Sequence, residues 1–232
     1  MNFAERSYQK ELLDEENIPF SDIQRNMQEL NFINTWLGGH SITIAGLKQL
    51  LGTKKKVLVC EVGCGGGDNM VALQQWCKNN NIVATFYGID IKPECISVAR
   101  DRQQLRANTT WIESDYRTAK FPQQPDIIYS SLFCHHFTDE QLVEQLQWMA
   151  QNSSLGFFIN DLQRHALAYN LIKILTTIFS SSYLVKHDAP LSVARGFKKH
   201  DWSRLLQQAS LNKATVVWKW AFRYLVVYNN GK

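Results

Sequence analysis

Residues 57–68 run Val-Leu-Val-Cys-Glu-Val-Gly-Cys-Gly-Gly-Gly-Asp, and a helical pattern follows over about residues 69–79. A continuous apolar run that meets an acid and then a glycine-rich turn opening a helix reads as a buried strand passing into a ligand loop. Backbone without Cβ atoms can approach a ligand closely, and the helix N-terminus offers unpaired N–H groups. Two kinds of nucleotide loop are excluded. A phosphate-cradling loop needs Gly-Lys-Ser/Thr, and no lysine follows these glycines. In a dinucleotide loop counted Gly-x-Gly-x-x-Gly from Gly63, the third glycine falls on Asp68, whose charge would repel a pyrophosphate there. Acids at Glu61 and Asp68 suit instead a ligand carrying positive charge, such as an ammonium or a sulfonium.

The surrounding chain alternates in the same way. Strand-like runs at 82–89, 109–112, 126–131 and 155–159 are separated by helical patterns at 93–106, with Pro93 in the first turn, and at 139–151. Apolar strands alternating with helices predict a doubly wound α/β sheet, whose ligand lies beyond the carboxyl ends of the strands. Two runs at 214–218 and 222–228 predict an antiparallel hairpin closing one sheet edge. Residues 1–52 read as a helical extension, with Ile23, Met27, Leu30, Ile33 and Leu37 spaced by three and four and a break at Gly38-Gly39. Beyond Asp161, residues 162–180 read as a helix, 181–197 as a long loop and 200–209 as a short helix. The expected organisation is a main domain over 53–232, with the 1–52 extension and an insertion at about 162–200 packing together as a cap over the cleft.

Bulk properties exclude several classes. With 232 residues, 45% of them hydrophobic and 20% charged, the chain fits one elaborated globular domain. A net charge of +4 falls short of the footprint of a nucleic-acid binder. Five scattered cysteines form neither a disulfide framework nor a zinc pattern, and the charged N-terminus is no signal peptide, so a reduced, cytoplasmic setting is expected. The apolar stretch 171–179 contains Lys173 and is too short to span a bilayer.

Further acids stand at the next strand ends, Asp90 after the second and Asp115 after the third. A carboxylate at Asp90 can accept both hydroxyls of a ribose, and one at Asp115 can meet an adenine amino group. Together with the glycine loop, these acids resemble the class I S-adenosylmethionine-dependent methyltransferases over residues 54–161. The resemblance implies a Rossmann-like, seven-stranded sheet with the terminal hairpin. It also implies S-adenosylmethionine as cofactor, with Glu61 ordering the loop and the methionine end, Asp90 holding the ribose and Asp115 the adenine. Gly63, Cys64, Gly65, Gly67, Ile91, Ser114, Tyr116 and Leu132 are the further cofactor-binding positions. Gly66 departs from the Thr or Ser frequent there. Three flanking stretches, Asn34–Gly39, Asn160–His165 and Lys186–Phe197, are similar to enzymes of the ubiquinone/menaquinone-pathway-like and small-molecule O-methyltransferase groups.

For the acceptor side, the fourth strand ends Ser-Ser-Leu-Phe-Cys-His135-His136-Phe137. A hydroxyl must lose a proton as it attacks a sulfonium, and histidine suits that role. His136 is the preferred base because Phe137 and the helix start near Thr138 fix its direction; His135 is the alternative and His165 the third candidate. Both histidines can equally be loop residues that shape the pocket. Adjacent residues usually point apart, so His187-Asp188 is not expected to pair, and no metal site is expected. Aromatic and aliphatic residues of the insertion (Tyr169, Ile172, Phe179, Tyr183, Phe197) either roof an apolar cavity or serve as plain core. The expected acceptor is a small phenolic or quinol-like molecule methylated on oxygen. The alternatives are C-methylation of a quinone precursor, methylation of RNA or protein, and a catalytically silent cofactor binder. Lys54-Lys55-Lys56 and the group Lys186, Arg195, Lys198 and Lys199 are the basic concentrations a macromolecule would use.

Overall fold

The computed structural model describes residues 2–15 and 17–231. In chain order the elements are α1 (Phe20–Trp36), α2 (Gly39–Leu51), β1 (Lys56–Val62), α3 (Asp68–Asn79), β2 (Val83–Asp90), α4 (Pro93–Arg100), β3 (Thr109–Glu113), β4 (Ile127–Ser131) and α5 (Asp139–Asn152). They continue with β5 (Gly156–Leu162), α6 (Ala166–Phe179), α7 (Tyr183–Arg195), α8 (Lys199–Gln208), β6 (Thr215–Lys219) and β7 (Arg223–Asn229). One seven-stranded sheet has the order β3-β2-β1-β4-β5-β7-β6. The first five strands run parallel and β7 is antiparallel to both its neighbours. The strand order reverses between β1 and β4, which is where a doubly wound sheet opens its crevice.

Continuous apolar strands bury both faces. Val57, Val59, Phe86, Ile127, Tyr129 and Phe158 pack under α2 and α3 on one side. Cys60, Val62, Ile89, Ile128, Phe157 and Ile159 pack against α5 and α8 on the other. All five cysteines are buried and free. Among the described residues, no helix is long and apolar enough to cross a membrane.

Two expected boundaries are corrected. The helix predicted over 93–106 stops at Arg100, and Gln103–Leu105 forms a separate 3-10 turn that buries Leu105. The long loop predicted over 181–197 is the helix α7, despite Pro190 inside it. A mid-helix proline removes one backbone hydrogen bond. Here Ser182 caps the N-terminus, and burial of Leu184, Val185, Leu191, Val193 and Ala194 offsets that loss.

The N-terminal extension and the segment after β5 meet. Glu29 of α1 accepts hydrogen bonds from Ser180, Ser181 and Ser182 ahead of α7. Asp188 of α7 accepts the backbone N–H groups of Leu12 and Leu13 at 2.8 and 2.9 Å. Arg6 donates to the Arg195 carbonyl at 3.0 Å and pairs with Asp139 at 2.7 Å. Residues 2–15 are thereby tied across the carboxyl end of the sheet.

Candidate active site

A cavity of about 680 Å³ opens at the switch between β1 and β4. Its floor is the glycine loop. Gly63 has φ +68°, and a Cβ there would lie 2.2 Å from the Phe133 ring, so only glycine lets this turn pass under that side chain. Gly65, at φ +49°, faces open space, as a backbone cradle for a ligand requires. The Gly65 N–H donates to Asp90 Oδ2 at 2.8 Å, and the Lys92 N–H to Asp90 Oδ1 at 3.0 Å. Asp90 therefore fixes the loop while still lining the cavity. Burial raises its carboxyl from the ordinary value.

Glu61 is buried beneath the loop, where the Tyr129 hydroxyl donates to it at 2.8 Å. Burial, and then repulsion from Asp68 and Asp90, hold its carboxyl well above the usual carboxylate range. Asp68 is met at 3.0 Å by His40 Nε2 and at 3.4 Å by Asn34 Nδ2. Three acids thus converge on the cavity from β1, β2 and the start of α3. Asp115 also lines it, but its carboxylate is held by Arg117, whose Nε lies 3.1 Å from both oxygens and keeps the group below its ordinary value.

Cys64, Ile91, Ser114, Tyr116 and Leu132 line the cavity as well. Leu132 adopts φ +55°, uncommon for a branched residue, with its N–H bonded to Asn160 O at 2.9 Å. Gly67 does not line the cavity. It is the N-cap of α3 at φ +72°, packed against Trp111 and Leu105, and Gly66 faces the cavity in its place.

The three candidate bases occupy different surroundings. His135 is buried, with Nδ1 2.7 Å from Asp161 and Nε2 3.5 Å from Glu11. Burial opposes its charge, but Asp161 and Glu11 outweigh this and raise it to about 9. It anchors the turn between those two carboxylates and does not line the cavity. His136 does line the cavity, with Nδ1 3.3 Å from Asp14 and Nε2 3.7 Å from Glu11. His165 is exposed and lies outside the cavity lining: its Nδ1 accepts the Leu167 N–H at 3.1 Å as the N-cap of α6. His187 and Asp188, expected to point apart, pair at 2.8 Å.

The side chains offered as a roof also lie elsewhere. Phe197 is in the core against Trp202, and Phe179 and Tyr183 are exposed. Of the described residues 162–200, Arg195 alone lines the cavity. The extension, expected to cover the cleft, does so through residues the sequence did not single out: Tyr8, Leu13 and Asp14 of the N-terminal segment, and Asn26 and Asn34 of α1, with Met27 beside them. One signal was present. Asn26 and Asn34 interrupt the apolar stripe of α1, and an amide on an inward face points to a polar cavity.

The profile of a methyltransferase domain matches residues 59–153. Human N-acetylserotonin methyltransferase, solved with S-adenosylmethionine, superposes with a TM-score of 0.64 at 16% identity, covering 92% of this chain and 57% of that one. An O-methyltransferase family 2 protein from Planctomyces limnophilus, in complex with apigenin, gives 0.63 at 15% identity over 94% and 63%. Magnesium protoporphyrin IX methyltransferase from Synechocystis, with bound S-adenosylmethionine, gives 0.55 at 14% identity over 94% and 100%. The chain thus spans somewhat more than half the length of the first two. No curated protein sequence matches it.

Proposed function

We propose that this chain, a class I S-adenosylmethionine-dependent methyltransferase, passes the methyl group to a hydroxyl of a small aromatic acceptor, with His136 as the base. The observation that carries this reading is the position of His136 on the cavity wall, its Nδ1 held by Asp14. The fit to the cofactor rests on the open space above Gly65 and on the acids that converge there. The cofactor supplies an electrophilic methyl group on a sulfonium. Glu61, Asp68 and Asp90 offer carboxyl groups toward its positive end and ribose. As the new O–CH₃ bond forms and the S–CH₃ bond breaks, the acceptor proton passes to the His136 imidazole. Tyr116, Phe133 and Phe137, packed edge to face at 4.9–6.5 Å, give the acceptor side an aromatic surface. The N-terminal segment and α1 line the cavity alongside the sheet, which favours a small molecule over RNA or protein.

Incubation with the cofactor and a panel of phenols, hydroquinones, RNA and denatured protein tests this by mass spectrometry. O-methylated phenolic products are expected. Transfer confined to ring carbon or to macromolecules overturns the reading.

Glu61 supports a second expectation. Burial and the neighbouring acids raise its folded carboxyl, and a cation arriving beside it would lower it again. Cofactor binding near neutral pH is expected to release up to about one proton. Calorimetry in buffers of different ionisation enthalpy reads this release, and Glu61→Gln should remove it. A binding heat independent of buffer would refute it.

A further inference from the structure

We infer that Glu11, His135 and His136 form a binding site for one divalent transition-metal ion of the zinc type, set against the cavity wall at His136. Their ligand atoms lie within 4.8 Å of one another. His135 Nε2 is 3.5 Å from Glu11 Oε1, and His136 Nε2 is 3.7 Å from Glu11 Oε2. Two ligands bound to tetrahedral zinc at about 2.0–2.1 Å stand about 3.3–3.4 Å apart, so each histidine nitrogen is within a few tenths of an ångström of that spacing from a Glu11 oxygen, and the three ligand atoms together draw in from their 4.8 Å limit as the ion binds. Both imidazoles therefore turn the same nitrogen toward one carboxylate.

The outer shell is built as metal sites build it. A ligating histidine ordinarily gives its other ring nitrogen to a carboxylate, which fixes the ring and the tautomer. Asp161, fully buried, takes Nδ1 of His135 at 2.7 Å, and Asp14 takes Nδ1 of His136 at 3.3 Å. The two histidines are consecutive on the 3-10 turn Cys134–His136, with ring centroids 4.5 Å apart. That turn is pinned by Arg6 and Arg195, which donate to the His135 carbonyl at 3.3 and 3.1 Å. Arg195 Nε lies 3.8 Å from Glu11 and is the charge a metal must tolerate. Glu11, Asp14 and Asp161 outnumber it, and its nitrogens are engaged by the carbonyls of His135 and Gln9.

Two histidines and one carboxylate match a zinc site that keeps an open position. Of the three ligands His136 lines the cavity, which sets the site against the wall of the space where the proposed acceptor binds. The His136 Nε2 lone pair serves either a metal or a proton, so occupancy competes with the base role. Binding itself is independent of that role and is read without methyl transfer.

The test adds Zn²⁺ or Co²⁺ to the chelator-treated full chain. Equilibrium dialysis should give one metal per chain, and Co²⁺ should show the visible absorption of a four-coordinate nitrogen and oxygen site. His136→Gln and Glu11→Gln should each weaken binding tenfold or more, and Asp161→Asn should weaken it about 10–100-fold. His200→Gln, at an exposed histidine outside the cluster, should leave binding unchanged. If Glu11→Gln fails to fold, His136→Gln alone carries the test, because that side chain sits at the cavity surface. The absence of stoichiometric binding, or binding that survives His136→Gln, overturns the inference.

Discussion

His136→Ala is expected to lower the rate of methyl transfer by about 10²–10⁴-fold, the usual contribution of a positioned general base, while cofactor affinity stays near that of the unaltered protein. His136 lines the cavity but makes no hydrogen bond to the glycine loop, so its removal should not disturb that loop. An acceptor whose hydroxyl is already ionised at the assay pH needs no base, and its rate should fall little. Single-turnover kinetics with a phenol and with its more acidic analogue separates these effects. Loss of cofactor binding together with turnover would mean that the ring shapes the pocket and does no proton transfer. His135 is the wrong target for this experiment. It is buried between Asp161 and Glu11 and holds both carboxylates, so removing it leaves them without that partner and endangers the fold.

Asp90→Ala should weaken cofactor binding on the order of 100-fold, from the loss of two hydrogen bonds to a charged acceptor at roughly 1.5–3 kcal/mol each. The effect has two sources. The carboxylate at the end of β2 is the proposed ribose partner, and it also holds the Gly65 N–H at 2.8 Å and the Lys92 N–H at 3.0 Å. Asp90→Asn keeps one acceptor oxygen and should lose less, which separates loop support from ligand contact. Calorimetry showing unchanged affinity for Asp90→Ala would remove Asp90 from the cofactor site.

What the sequence revealed follows from the range of its signals. The glycine loop and the acids at 61, 90 and 115 are legible because each sits within a few residues of a strand end, where local pattern and position in the fold coincide. The parallel, doubly wound character of the sheet is legible in the same alternation, while the order of its strands is not. The surroundings of the histidines were hidden because they are made by distant segments. Glu11 reaches His135 across 124 positions and Asp161 across 26. Nothing in periodicity announces such a meeting. The helix α7 was hidden for the opposite reason. Pro190, Asp188 and Gly196 give strong local signals against a helix, and tertiary burial of its apolar face overrides them. At Gly67 the structure adds a conformational role: it starts α3, while its neighbour Gly66 faces the cavity.

The sheet order also dictates a schedule for folding during synthesis. β7 lies between β5 and β6, yet it is the last strand to be made. Until residues 223–229 emerge from the ribosome, β5 keeps an open edge of seven residues, Gly156–Leu162, and β6 has no partner at all. An unpaired apolar edge invites pairing with another chain. The nascent chain must therefore carry that edge through the synthesis of α6, α7 and α8, and the sheet closes by insertion of its final strand.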